Sequence, residues 1–423
     1  MRASLYLLKL SAYTVANPPS SEPMFSRPED AGFLPAAQLD LLVAKLMALG
    51  YRCLGPAEAQ GAIVMRELDR PDGLRRGLQA EQAPGHYRLT RDPHDRYFAW
   101  ANGPQAIKPQ TFAPQESLWR VERDAAGQLQ FAAVLPAVMP QAIIGVRACD
   151  LAALALQDAH FLRADRHDAH YARRREHLFL VAVQCAEPGA TCFCASTGDG
   201  PTPSAGYDVA LAELADGFVA VAGSAKGQAV LDDLGLPLAT QSQLEMARVQ
   251  GRDAAASQTR RLPGRLSPSG GNLREALMSR LEHPRWDEVA ARCLACGNCT
   301  AVCPTCFCHA EIDEPALDGG ASEHARQWDS CFGEAHGHLH GFDVRSDIRT
   351  RYRQWLTHKL ATWHDQFGRS GCVGCGRCIA WCPVGIDLTE EVAALIGGSD
   401  QPSPRPSTPS GHRGPASGRG GIT

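Results

Sequence analysis

The stretch Cys293-Leu-Ala-Cys296-Gly-Asn-Cys299-Thr-Ala-Val-Cys303-Pro304 constrains this chain more than any other. Three cysteines two residues apart, with a fourth followed by proline, form a ligand run for a cubane iron–sulfur cluster. The spacing returns in Cys372-Val-Gly-Cys375-Gly-Arg-Cys378-Ile-Ala-Trp-Cys382-Pro383, and a second copy makes coincidence untenable. A [4Fe–4S] cube needs one thiolate per iron. A tight loop supplies three of them, and in two-cluster ferredoxins the last cysteine of each run serves the other cluster. The expected sets are therefore Cys293, Cys296, Cys299 and Cys382 for a first cluster, and Cys303, Cys372, Cys375 and Cys378 for a second. Pro304 and Pro383 bias the preceding cysteines toward an extended backbone. Gly297, Gly374 and Gly376 let backbone N–H groups approach sulfur, where hydrogen bonds help set the potential.

Two other uses of cysteine fit less well. A structural zinc protein would use Cys-x-x-Cys pairs, and the third cysteine and the Cys-Pro would have no role. A disulfide scaffold belongs to short secreted chains, whereas this one has 423 residues and no convincing secretory signal. Sixteen cysteines in such a chain point to a reducing compartment where thiolates are kept for metal, so the expected location is the cytoplasm. A net charge of −4 argues against nucleic acid as the main partner. No apolar run reaches the roughly 20 residues a membrane span needs.

The chain divides into an N-terminal extension over residues 1–34 expected to be disordered, an α/β domain over 35–262, a ferredoxin-like dicluster domain over 263–395, and a Gly-, Ser-, Pro- and Arg-rich tail over 396–423 expected to be disordered. Leu39, Leu42, Leu46 and Met47 lie close to helical period, and short strands are expected over 51–54 and 62–68. Cys53 reads as a buried structural thiol. Residues 84–89 and 97–101 read as a hairpin around Asp92-Pro93-His94-Asp95. Lys108 reads as a solvated loop charge. Gln141 to Val146, a helix over 151–161 with Asp150 as its N-cap, and Leu178 to Val183 form a parallel βαβ unit. A strand pair over 207–213 and 218–222 and a helix near 226–234 follow, and residues 241–261 are polar with scattered apolar positions.

Ligands of such a sheet collect at the carboxyl ends of its strands, where Cys149, Cys185, Cys192 and Cys194 fall. Three readings stay open for this rim: a third iron–sulfur cluster, buried free thiols, or a disulfide- or sulfur-reducing centre. Residues 304–371 separate the two ferredoxin runs and are expected to form a long helical insertion. Cys306, Cys308 and Cys331 within it read as structural thiols, and His336, His338 and His340 as a polar loop. Arg345, Arg349, Arg351 and Arg353 read as a solvated helix face or a surface for an acidic redox partner.

With these residues in view the chain resembles the 4Fe-4S dicluster subunits of soluble multi-subunit reductases. That family includes the beta subunit of sulfhydrogenases, which are NAD(P)-linked nickel–iron hydrogenases, and the corresponding dicluster subunit of anaerobic sulfite reductases. The resemblance rests on residues 145–151, Cys192-Phe193-Cys194, residues 292–308, Trp328 to Cys331, Arg351 to Trp355, and residues 371–383. Ala148 stands where the family pattern has proline, and the tail looks like an addition. The resemblance implies a relay of electrons linking a flavin- and NAD(P)-binding reductase subunit with a catalytic hydrogenase or sulfite reductase subunit. A relay role agrees with the lack of substrate machinery in the sequence: no G-x-G-x-x-G follows a strand, and there is no P-loop or nucleophile elbow.

Overall fold

Leu178–Val183 is an unbroken apolar run buried at every position, as a central strand covered on both faces must be. It pairs in parallel with Gln141–Val146 on one side and Val209–Glu213 on the other. The helix Ala148–Phe161 makes the crossover that a parallel pair requires. The computed structural model describes Phe25, residues 31–105, 107–262 and 273–397. Its main sheet has seven strands in the order Ala31–Pro35, Gly217–Ala222, Val209–Glu213, Leu178–Val183, Gln141–Val146, Arg52–Ala59, Ala62–Glu67. The inner pairs are parallel, and both edges close with antiparallel pairs. One face packs on Leu39, Leu42 and Leu46 of the helix Leu39–Ala48 and on Val230 and Leu231 of Ala225–Leu234, with Cys53 inside that core. The other packs on Leu151 and Leu154 and on Leu244 and Ala247 of Gln241–Ser257.

Several expectations change here. The extension expected over 1–34 includes an edge strand from Ala31, and Phe25 is buried in the second core with its carbonyl accepting from Arg248. The rest of that extension, and the tail from residue 398, lie outside the described residues. Residues 241–257 form a helix because Thr240 and Gln243 cap each other's backbone in a capping box. The hairpin is Leu78–Ala83 with His86–Arg91, turning at Pro84-Gly85. Tyr97 to Ala101 is not its second strand. The Glu213 carboxylate accepts from the Tyr97 and Phe98 N–H groups at 2.7 and 2.9 Å, and Arg147 donates to the Phe98 and Trp100 carbonyls at 2.9 and 2.8 Å. With side chains satisfying its backbone, this segment sends its aromatic rings into the core without joining a sheet.

The insertion, expected to be helical, begins as an antiparallel pair, His309–Pro315 with Ala321–Trp328. The second of these pairs with Gln115–Arg123, which pairs with Leu129–Ala133, so one four-stranded sheet joins both halves of the chain. Helix follows as a short 3-10 turn over Ala335–Gly337, then over Ile348–Thr357, a π-type turn over His358–Thr362, and Trp363–Phe367. Leu273, Leu277, Trp286, Tyr352, Trp355, Leu388, Val392 and Leu395 form the core around the cysteine runs.

Candidate iron–sulfur centres

Each cysteine run turns through two left-handed residues and enters a one-turn helix. In the first run these residues are Ala295 (φ 50°) and Gly297 (φ 75°); in the second they are Gly374 (φ 64°) and Gly376 (φ 71°). Cys293, Cys296, Cys299 and Cys382 line one cavity, together with Phe332, Tyr352 and Trp355. Cys293, Cys382 and Cys296 are the thiols that, after burial itself, most disfavour ionisation of Cys299. Cys378 also borders this cavity. The cavity gathers the four cysteines expected for a first cluster. Backbone N–H groups point at sulfur, from Ala295 to Cys293 at 3.4 Å and from Ile386 to Cys382 at 3.3 Å. Such donors fit thiolate ligands.

The two loops differ in cover. Cys296 is exposed and Leu294 beside it is 62% accessible, whereas Cys372 and Cys375 are buried. A Cβ on Gly374 would lie 2.5 Å from the Cys194 nitrogen, and one on Gly376 would lie 2.4 Å from the Thr191 carbonyl. The α/β domain therefore presses its Thr191–Cys194 segment onto the second loop. The tip of the 78–91 hairpin presses there too, with Gly85 N–H donating to the Ile379 carbonyl at 3.0 Å and Tyr87 stacked on Trp381 at 5.0 Å.

Two buried cations flank the second set. Lys359, in the π-type turn, donates to Cys303 Sγ at 3.3 Å and Thr305 Oγ1 at 2.8 Å. Burial works against its charge, but Cys303, Cys306 and Cys372 outweigh it and hold the ammonium protonated. Arg377 clasps Asp150 with bonds of 2.9 and 3.0 Å, both residues buried. Asp150 is therefore not an N-cap. The helix starts at Ala148 without a side-chain cap, and the carboxylate of its first turn serves Arg377.

At the strand ends Cys149, Cys192 and Cys194 are buried and Cys185 half-buried. After burial, Cys194 and Cys185 are the strongest influences on Cys192, and Cys375 of the second run reaches Cys192, Cys194 and Cys149 alike. Two amides aim at the rim: Asn102 donates to Cys149 Sγ and Gln258 to Cys194 Sγ, each at 3.2 Å. Neither amide was identified from the sequence, where nothing near them in the chain marks a site.

Lys108 is not a surface lysine. It is 5% accessible, donates to the Ala301, Cys306 and Thr300 carbonyls at 3.0, 3.3 and 3.4 Å, and lies 3.8 Å over the Trp328 ring. Cys306, Cys308 and Cys331 are partly buried, and the first two line a cavity with Lys108 and Trp328. The arginine stretch is mostly spent inside the chain: Arg351 is buried on the Arg345, Ser346 and Phe332 carbonyls, and Arg349 and Arg353 bind Glu282.

A profile of the 4Fe-4S dicluster domain matches residues 292–386, which contain all eight ferredoxin-type cysteines. Over 255 residues the chain is 31% identical to sulfhydrogenase 2 subunit beta of Pyrococcus furiosus, covering 58% of this chain and 71% of that protein. Among the described residues no helix is long and apolar enough to cross a membrane. A dicluster domain with two [4Fe–4S] clusters, behind an α/β sheet domain and within a match of this extent, makes the chain a member of the family of iron–sulfur proteins that includes the beta subunits of sulfhydrogenases.

Proposed function

We propose that this chain is the electron-relay subunit of a cytoplasmic multi-subunit oxidoreductase. Cys293, Cys296, Cys299 and Cys382 hold the first cluster, and Cys303, Cys372, Cys375 and Cys378 the second. Cys149, Cys185, Cys192 and Cys194 hold a third, in an arrangement of an α/β domain that begins with the strand Ala31–Pro35 and a dicluster domain over residues 263–395. Each cluster supplies one-electron chemistry. The residues of this chain hold, insulate and tune it. The observation that carries the reading is the position of Cys375, a member of the second set whose carbonyl accepts from Cys192 Sγ at 3.6 Å and which packs in one buried cluster with Cys149 and Cys194. A relay would then run from a buried rim through a buried second site to a first site near the surface at Cys296 and Leu294. The partners on this reading are a flavin- and NAD(P)-binding reductase subunit together with a catalytic hydrogenase or sulfite reductase subunit.

Iron and acid-labile sulfide per chain, measured on anaerobically purified protein with EPR of the dithionite-reduced sample, test the reading. About twelve irons per chain is the expected result; about eight would remove the third cluster and leave the rim as thiols. A dithionite-reduced sample with no iron–sulfur signal would overturn the relay itself.

A further inference from the structure

Besides its cysteines, the cavity that gathers Cys293, Cys296, Cys299 and Cys382 is lined by three polar side chains: Asn298, Tyr352 and Trp355. Asn298 is occupied, its amide donating to the Trp381 carbonyl at 3.3 Å. The other two are not. Tyr352 Oη and Trp355 Nε1 are shut away from water, and neither has a hydrogen-bond partner among the described residues. Burying a polar group unpaired is costly. The neighbouring ring shows the ordinary arrangement: Trp286, with its centroid 6.4 Å from that of Tyr352, donates its indole N–H to the Arg280 carbonyl at 2.8 Å. An orphaned donor in a native fold points to a partner that the chain does not itself supply. Tyr352 and Trp355 stand three residues apart on the helix Ile348–Thr357 and so share a face. That face packs with Cys293, Cys299, Cys378 and Cys382. Phe332 sits beside both rings, with centroids 6.2 and 6.0 Å away, and Arg351 of the same helix donates to its carbonyl at 3.2 Å.

We propose that Tyr352 and Trp355 donate hydrogen bonds to the sulfur of the first cluster and raise its midpoint potential. The inference rests on the ligand set Cys293, Cys296, Cys299 and Cys382 given above. An indole N–H can only donate, and a phenol hydroxyl is protonated at neutral pH. Hydrogen bonds to cluster sulfur are among the factors that set its potential. Such bonds strengthen with the charge on the acceptor, so both donors favour the reduced state, which carries one more electron. The two sites are then tuned by different means. The second has the Lys359 ammonium on Cys303. The first has no charged side chain among the described residues that line its cavity, and it relies on two neutral donors from one helix face.

The test uses the anaerobically purified full chain carrying Tyr352→Phe or Trp355→Phe, with an iron and sulfide assay and an EPR-monitored redox titration on the same sample. Tyr352→Phe removes one oxygen atom and keeps the ring. The expected result is full iron content with one ferredoxin-type signal harder to reduce by about tenfold in its equilibrium constant, about 59 mV for one electron. That signal is the one that Lys359→Met leaves nearly in place, and Trp355→Phe moves it in the same direction. Either variant alone decides, so the failure of one to fold leaves the test standing. A role in packing alone would leave the midpoint unmoved. The proposal is overturned if both midpoints stay in place at full iron, if the signal that moves is the one that Lys359→Met moves, or if the folded variants lose iron. Native signals that are present but unmoved in the variants overturn this inference alone, whereas a reduced native sample without any iron–sulfur signal overturns the relay reading and this inference together.

Discussion

Lys359 offers the most direct handle on cluster tuning, because its ammonium is buried and donates to Cys303 Sγ at 3.3 Å. Replacing it with methionine keeps much of the side-chain volume and removes one positive charge. At an effective dielectric near 20, two unit charges about 4 Å apart interact by about 4 kcal/mol. An added electron spreads over a whole cluster instead of resting at Cys303, so about half of this, ~2 kcal/mol, is the working figure. With 59 mV per tenfold for a one-electron couple, that is a shift of roughly 90 mV. The sign is fixed: the cation stabilises the reduced, more negative cluster, so Lys359→Met lowers its midpoint potential. An EPR-monitored redox titration of the full chain reads this directly. One signal should move down by about 90 mV, the other ferredoxin-type signal should move by a small fraction of that, and Lys359→Arg should leave both near their original values. A Lys359→Met protein with full iron and an unmoved midpoint, or one moved upward, would refute the electrostatic argument and with it the placement of Cys303 on the second cluster.

Three further outcomes follow from the contacts around that site. Asp150→Asn leaves Arg377 buried without its charged partner, and a break of this kind costs about 3–5 kcal/mol; a marked fall in thermal midpoint is expected, and substituting Arg377 by methionine in the same chain should recover part of it. Gly374→Ala places a Cβ 2.5 Å from the Cys194 nitrogen at φ 64°, so it should lower the iron bound per chain, whereas Ala295→Gly at the matching position of the first run should leave iron content unchanged. Burial alone would raise the Asp92 carboxyl, but hydrogen bonds from Arg96 hold it at about 2 instead of 3.8. Because the folded value lies below the unfolded one, this pair's contribution is complete above pH 3.8 and is lost as pH falls toward 2; Asp92→Asn should flatten the acid limb of a stability profile in that window.

What the sequence reveals of this molecule is whatever depends on near neighbours in the chain. The cysteine runs are legible because three ligands of one cluster come from a single loop. The βαβ unit is legible because its strands are solid apolar runs, and the rim follows from it because topology puts the strand ends together. The buried cations are not legible in the same way: Lys359 meets Cys303, Arg377 meets Asp150, and Lys108 meets Thr300, each partner far away in the chain. Lys359 did leave a signal, since Trp355, Lys359 and Trp363 share an i, i+4 face on which a lysine is out of place. The strands of the insertion are masked by polar cross-sheet partners: Arg326 binds Glu116 at 2.6 Å and Asp168 at 2.5 Å, so an inward position carries a charge and the alternation fails.

The repeat also encodes its own asymmetry. Both loops need a left-handed residue at the second position after their first cysteine. Glycine stands there in the second run, where the backbone of Phe193 and Cys194 comes within 2.6 Å of a would-be side chain; alanine stands at φ 50° in the first. A methyl group has no room on the second loop. The same logic extends to the four residues Thr-Cys-Phe-Cys, which occur at 191–194 and again at 305–308. Thr191 lies on Gly376, and Thr305 donates to the Gly371 carbonyl at 2.7 Å. Two copies of one short segment thus enclose the second cysteine loop from the α/β domain and from the insertion. Among the described residues nothing equivalent covers Leu294 and Cys296, so on the proposed reading electrons reach the surface through the first cluster and are insulated at the second.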